Sequence, residues 1–174
     1  SFGLPTWGLA GSTGAKVLDA QAGAESAFSI LAQGLGGLNL IHDVGYMDNG
    51  MICSTAQLVL GNENIGMTKR FVRGIAINKE TLAREIIEKV GPGGHFLQEP
   101  HTLKHFKDEL WVPGLITRDP REVWQQAGSK DIAEVIQEKL QEVLRNHQAP
   151  AMAHETLTEI RKIRKRGESF LAKE

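Results

Sequence analysis

The feature of this sequence that most constrains its fold is a break in charge near residue 60. Residues 1–60 contain only five charged side chains, whereas the whole chain has 20 basic and 21 acidic residues. A solvated surface normally needs more charge than this segment carries, so we expect most of it to be covered by other protein. The chain offers little to cover it and opens at Ser1 without an initiator Met. We therefore expect a piece of a longer polypeptide.

The net charge of −1 gives no global field that would attract nucleic acid or an anionic membrane, and we expect neither as a partner. No apolar run approaches the roughly eighteen residues of a membrane span. Cys53 is the only cysteine, which excludes an internal disulfide and a zinc cluster of several thiolates from this chain. A soluble protein of a reducing cytoplasm is the expectation.

Short apolar runs and helical patterns alternate along the first 75 residues. In order, the patterns predict a strand or extended loop at 4–9, a helix at 19–35, a strand at 38–42, a loop at 45–50 and a helix at 54–73. The helix at 19–35 has apolar or small residues on nearly every face, so we expect it and the following strand to be buried. Alternation of this kind is typical of parallel α/β folds.

The pattern changes to capped surface helices after residue 76. Asn78 is a candidate N-cap of a helix that ends at Gly91, and Asp119 precedes a short helix with Pro120 at its first position and Gly128 at its end. Further helices are predicted from Ser129 and after Pro150. The basic run at 161–166 is interpreted as a solvated helix face, although it could also contact RNA or an acidic partner.

His42 and Asp43 are the first candidates for catalysis, because they stand at the carboxyl end of the predicted strand at 38–42. In parallel α/β proteins the active site forms at that edge. A histidine that closes a strand is also often a packing residue, so spacing alone leaves both readings open.

Trp7 and Tyr46 are the aromatic residues nearest the two predicted strand ends. Their π faces could hold a quaternary ammonium group by cation–π attraction, worth about 0.5 to 2 kcal/mol per contact. Core packing at a loop is the simpler explanation of both residues, and spacing does not decide between the two readings.

Two other groups of polar residues could have either a functional or a purely structural role. Asp19 is interpreted as the N-cap of the helix at 19–35, within which Glu25 could be a buried carboxylate that needs a partner. His101 and His105, four residues apart with Glu99 nearby, could share a zinc ion, but Thr102 stands where the metalloprotease motif requires glutamate. We therefore predict surface or capping histidines and no metal.

Three separated motifs resemble the trimethylamine:corrinoid methyltransferase family, including its pyrrolysine-free branch of glycine betaine methyltransferases. They occur in the family's order and span the chain: Gly3-Leu4-Pro5-Thr6, then Asp19-Ala20-Gln21-Ala22-Gly23 with Glu25, then Gly91-Pro92-Gly93-Gly94-His95-Phe96-Leu97 with His101-Thr102 and His105-Phe106.

The resemblance implies an α/β fold, namely the C-terminal part of a TIM-type β/α barrel followed by a helical extension. Residues 1–75 would supply the last β/α units of the barrel and residues 76–174 the extension. It also implies transfer of a methyl group from a small methylated amine to the Co(I) of a corrinoid (cobalamin) carried by a separate partner protein. No residue is assigned to contact with the corrinoid.

The trimethylamine branch of the family carries pyrrolysine, whereas every residue of this chain is a standard one. A quaternary ammonium substrate such as glycine betaine is therefore the hypothesis, because its leaving group is already a neutral amine. His42 and Asp43 would lie at the mouth of the barrel as catalytic residues, with Trp7 and Tyr46 enclosing the cationic head group.

Two alternatives stay open. One is a barrel enzyme of other chemistry with His42 as general base, and the other is a non-catalytic helical interaction module. A homo-oligomer is compatible with either reading.

Overall fold

The computed structural model describes residues 3–171, so the chain start at Ser1 and Phe2 discussed above lies outside the described residues. The chain divides into two compact units between Glu142 and Val143. The bounds of the elements, in chain order, are β1 Trp7–Leu9, α1 Ala20–Leu35, β2 Leu40–His42, β3 Tyr46–Met47, a 3-10 turn Asp48–Gly50, β4 Ile52–Cys53, α2 Thr55–Arg73, α3 Arg84–Val90, α4 Pro100–Glu109, α5 Arg121–Gln126, α6 Ile132–Asn146 and α7 His154–Leu171.

Strands β1 and β2 are parallel neighbours joined by α1, which makes one β-α-β unit. Their register pairs Trp7 with Leu40 and Leu9 with His42. The predicted strands and helix are confirmed here, as is the N-cap, because the Asp19 carboxylate accepts a hydrogen bond of 3.0 Å from the Ala22 amide. Two parallel strands occur in open sheets and in barrels alike, so the barrel and its boundary at residue 75 stay predictions.

Helix α2 packs along α1, and polar as well as small residues form this contact. The Cβ of an alanine at Gly34 would lie 2.7 Å from the Thr68 methyl group, so the absence of a side chain allows the close approach. Asn64 donates a buried 3.2 Å hydrogen bond to the Ser26 hydroxyl. This pairing fixes which faces of the two helices meet.

The hydrophobic core consists of two small clusters. One contains Ala15, Ala22 and Met47 beneath the loops that follow the strands, and the other contains Ala56, Leu60 and Ile136, which joins α6 to α2. Leu18, in the segment between β1 and α1, packs against both clusters, so the core supports the edge where the candidate site was predicted.

The prediction that α1 and the second strand are buried is wrong for this structure. Phe28 is 76% exposed and Leu40 is 55% exposed. The reason is a small number of neighbours: α2 and β1 are the elements that mainly contact α1, while among residues 3–171 β2 pairs only with β1. The amino-acid composition shows how apolar these elements are, but it does not show how many neighbouring elements cover them.

The helices after residue 76 follow the predicted order with shifted starts. Asn78 caps a single turn, accepting from the Glu80 and Thr81 amides, and α3 begins only after Ala83, whose positive φ of 48° interrupts the helix. The predicted helix from Asn78 was therefore too long. Asp119 does not cap α5, because Pro120 occupies the N-cap position.

Helix α6 starts later than the predicted Ser129. Asp131 and Glu134 exchange hydrogen bonds between side chain and backbone, which makes a capping box before α6.

Side chains of α2 anchor the segment between α4 and α5. The buried Glu63 carboxylate accepts a 2.8 Å hydrogen bond from the Gly114 amide, and Arg70 donates to the Glu109 carbonyl at the end of α4. These contacts attach residues 109–115 to α2 between Glu63 and Arg70.

In the second unit, α7 carries the basic run at 161–166 as an exposed face with ion pairs such as Arg164 to Glu168 at 3.1 Å. This agrees with the interpretation of a solvated face. Between residues 3 and 171, no helix has the length and apolar character needed to cross a membrane.

Candidate active site at the carboxyl ends of two parallel strands

The loops that follow β1 and β2 meet at one edge of the strand pair. The Thr13 amide donates to the Tyr46 carbonyl at 3.1 Å, the Asp48 amide donates to the Ala15 carbonyl at 3.0 Å, and the Asn49 amide donates to the Thr13 carbonyl at 3.2 Å. Parallel strands bring their carboxyl ends to the same edge, and these bonds join the two loops there. The result is a single surface built from residues distant in sequence.

The register assigns the candidate residues to one face of the strand pair. A Cβ at Gly8 would collide with Leu38 and approach Gln33 of α1, so Gly8 faces the helix. Side chains alternate along a strand, so Trp7 must face away from α1, and by the same register His42 lies on Trp7's side. The sequence-predicted Trp7 and His42 therefore share the face that α1 leaves open.

Trp7 and His42 are in direct contact on this face. Their ring centroids lie 5.1 Å apart with an interplanar angle of 73°, an edge-to-face arrangement. Trp7 is 70% exposed. The contact orients both rings while most of the indole surface stays accessible to a ligand.

His42 is also bound by the residue that follows it. Its Nδ1 lies 2.5 Å from Oδ1 of Asp43. Asp43 has a positive φ of 76°, a region in which Asp is enriched among residues other than Gly, and this backbone accompanies the return of its carboxylate to the neighbouring ring. A carboxylate at Nδ1 favours the proton on that nitrogen, so the neutral ring presents a lone pair at Nε2.

Tyr46 lies beside this group without joining its ring contact. Its amide donates to the Asp43 carbonyl at 3.3 Å, and it pairs with Cys53 in the short antiparallel hairpin of β3 and β4. Within residues 3–171 the structure records no contact of its ring with Trp7 or His42. The structure thus brings Trp7, His42 and Asp43 together and places Tyr46 three residues further along the chain.

Glu25 was expected as a buried carboxylate that needs a partner, and the structure corrects half of that expectation. The residue is exposed, yet its carboxylate accepts from the Thr13 hydroxyl at 2.6 Å, the Gly14 amide at 2.8 Å and Gln21 Nε2 at 3.0 Å. The Thr13 hydroxyl, followed by the other two donors and the charge of Lys16, lowers the pKa of Glu25. Only the Gln21 contact, four residues away on the helix, is visible in sequence.

The histidine pair on α4 binds Glu80, in the segment between α2 and α3. His101 and His105 have ring centroids 4.5 Å apart, and both contact Glu80, through its carbonyl at 2.9 Å and its carboxylate at 3.2 Å. A hydrogen bond from Lys104 is the main cause that lowers the pKa of Glu80, with His105 second. Glu99 pairs with Lys89 instead. The described part of the chain contains no group of three or more residues suited to a metal ion.

The arrangement at the strand ends can bind a cation on an exposed indole and can accept a proton at an oriented imidazole. Fold and site together define a protein with one β-α-β unit whose candidate active site lies at the carboxyl ends of its two parallel strands. A family model described as trimethylamine methyltransferase matches residues 1–170. The chain belongs to the trimethylamine methyltransferase family.

Curated relatives agree with this assignment. A trimethylamine methyltransferase of Methanosarcina mazei is 39% identical over 162 residues, which cover 93% of this chain and 32% of that protein. One from Methanosarcina barkeri is 41% identical over 84% of this chain and 30% of its own length. A glycine betaine methyltransferase of Desulfitobacterium hafniense is 33% identical over 87% of this chain and 32% of its own length. The chain therefore spans about a third of the relatives it matches.

Proposed function

We propose that this chain supplies part of the active site of an enzyme that moves a methyl group from a quaternary ammonium compound, such as glycine betaine, to the Co(I) of a corrinoid carried by a separate protein. Membership of the family supports methyl transfer. The relatives named for trimethylamine and for glycine betaine support a methylated amine as donor.

The proposed architecture is the C-terminal part of a TIM-type β/α barrel, with β1 and β2 as its last strands and the helices after residue 75 as an extension. In such a barrel the helices lie outside and the opposite face of each strand points into the lumen. Trp7, Leu9, Leu40 and His42 lie on the face opposite α1, and three of them are large apolar side chains that are more than half exposed. A lumen would cover this face.

The reaction is an in-line displacement at carbon. The bond between nitrogen and the methyl carbon breaks with its electron pair going to nitrogen, and a bond between cobalt and carbon forms as Co(I) becomes Co(III). A quaternary ammonium releases a neutral tertiary amine, so no proton is needed for departure. Trimethylamine lacks that advantage, which favours the quaternary substrate.

Each candidate residue has a role in this reaction. The exposed indole of Trp7 binds the cationic head group, with an attraction of about 0.5 to 2 kcal/mol. His42 lies against that indole and fixes its orientation, and Asp43 orients the imidazole in turn. Tyr46, which is 40% exposed and does not touch these rings, would enclose the head group from a second side once the substrate is bound. Orientation matters because the methyl carbon must face the incoming cobalt in line.

The observation that carries the proposal is the contact of Trp7 with His42 on the open face at the strand ends. The test is to mix the complete protein with its corrinoid partner reduced to Co(I) and to record methyl-Co(III) absorbance with glycine betaine or trimethylamine. We expect methyl-Co(III) to form with glycine betaine and not with trimethylamine. Methylation by trimethylamine without glycine betaine activity would refute the substrate assignment.

One other function has a specific observation in its favour. The 2.5 Å contact of His42 with Asp43 is the geometry of an oriented general base, as a barrel enzyme of other chemistry would use for proton abstraction. The two proposals differ in their requirement for the corrinoid protein. Turnover of a substrate in the absence of any corrinoid protein would favour proton transfer.

A further inference from the structure

Glu25 connects α1 to the loop that follows β1. Its Oε2 accepts from both the Thr13 hydroxyl and the Gly14 amide, while its Oε1 accepts from Gln21 on its own helix. The Thr13 hydroxyl also accepts a 3.0 Å hydrogen bond from the Ala15 amide, so it both donates and accepts. Thr13 is only 4% exposed. The carboxylate thus holds the centre of this loop by two separate donors.

The same loop is bonded through its backbone to the hairpin that follows β2. Thr13 donates its amide to Tyr46 and accepts from the amide of Asn49 through its carbonyl. Thr13, which Glu25 binds through its side chain, therefore binds both β3 and the 3-10 turn after it through its main chain. Lys16 adds an ion pair of 3.1 Å to Asp48 in the same hairpin.

The hairpin leads directly to the candidate catalytic pair. The Tyr46 amide donates to the carbonyl of Asp43, and the Asp43 carboxylate binds His42. Asp43 adopts a positive φ of 76°, and Asp48 and Asn49 do so as well, with φ of 50° and 55°. A backbone held in these sparsely populated conformations needs surrounding contacts to keep it there.

We propose that Glu25 is a positioning residue: by holding Thr13 and Gly14, it fixes the first loop against the hairpin and thereby sets the orientation of Asp43 and His42. Its effect on catalysis rests on the proposed function, whereas its effect on the loops does not. Glu25 itself is not required to touch the substrate. Both of its carboxylate oxygens accept hydrogen bonds from loop or helix donors, unlike those of a solvated helix residue.

The loop effect is tested by hydrogen exchange of the complete protein. Glu25→Ala removes the acceptor, Glu25→Gln keeps an acceptor oxygen of nearly the same shape, and Glu142→Gln removes a surface ion pair with Lys139 as a matched control. We expect the amides of residues 13–14 and 48–49 to exchange about tenfold faster in Glu25→Ala and close to wild type in the other two variants. Unchanged exchange at residues 48–49 in Glu25→Ala would overturn the proposal.

The catalytic effect is tested by methyl-Co(III) formation with glycine betaine as the probe. We expect Glu25→Ala to lower kcat about tenfold while KM changes less than about twofold, with most of kcat restored in Glu25→Gln. Faster exchange combined with an unchanged kcat would refute the positioning role. If wild-type protein methylates no corrinoid, the proposed function fails, and hydrogen exchange still decides whether Glu25 holds the loops.

Discussion

The Nδ1 atom of His42 lies 2.5 Å from Oδ1 of Asp43, the residue that immediately follows it. Neighbouring residues on a regular strand point to opposite faces, so this contact requires the chain to leave the strand at Asp43. The positive φ of Asp43 marks that departure. The end of β2 therefore creates the pair, which explains why it occurs at the edge where the loops meet.

Replacement of Asp43 by asparagine is expected to lower methyl transfer. The amide can donate to Nδ1, which would move the ring proton to Nε2 and change what His42 presents to the site. We expect kcat to fall by about tenfold to a hundredfold with little change in the circular dichroism of the protein. A kcat equal to that of wild type would remove Asp43 from the mechanism.

Trp7→Phe and Trp7→Leu separate π attraction from simple apolar packing. Phenylalanine keeps a π face and leucine does not, so the KM for glycine betaine should rise further in Trp7→Leu. The expected difference from wild type is about twofold to thirtyfold, as a loss of 0.5 to 2 kcal/mol requires. Trp124→Leu is the control, because Trp124 binds the Lys130 carbonyl in another part of the chain. Equal KM values for the two Trp7 variants would contradict a cation–π role.

Gly61→Ala and Gly23→Ala are a matched pair of helix substitutions with opposite expected signs. A Cβ at Gly61 would lie 2.3 Å from a methyl group of Val44, next to Asp43, whereas a Cβ at Gly23 meets nothing within 4 Å. We expect Gly61→Ala to lower the free energy of unfolding by about 1 to 3 kcal/mol, and Gly23→Ala to raise it by about 0.4 to 1 kcal/mol. Urea denaturation measures both. A neutral Gly61→Ala would show that Val44 is loosely held.

The lowered pKa of Glu25 predicts an acid-sensitive contribution to stability. The folded-state pKa of Glu25 lies below the ordinary value of 4.5, so the contribution is fully present above that value and is lost as pH falls through the folded-state pKa. The stability difference between wild type and Glu25→Gln should therefore be constant near neutral pH and shrink as the solution is acidified through the folded-state pKa of Glu25. A difference that does not change with pH would mean that charge at Glu25 is irrelevant.

Local patterns predicted the elements that frame the site. The Asp19 cap, the glycines after Leu35 and the apolar spacing of α1 and α2 are short-range signals, and the helices formed where those signals lie. The location of His42 at a strand end followed from the same alternation. Each of these signals depends on residues that lie no more than about two helical turns apart in the chain.

The contacts that shape the site could not be read from the sequence. Thr13 meets Glu25 and Tyr46 only after α1 folds back on the strands, and no local pattern encodes that geometry. The β3–β4 hairpin escaped notice because each strand has two residues. The start of α3 depends on a left-handed Ala83, a conformation for which alanine gives no sequence signal.

The most direct measurement of the central claim is the rate of methyl-Co(III) formation from glycine betaine, recorded for the complete wild-type protein and for His42→Ala. We expect product with wild type and a rate at least about tenfold lower for His42→Ala, with circular dichroism unchanged. Equal rates for the two proteins would contradict a role for His42 in methyl transfer.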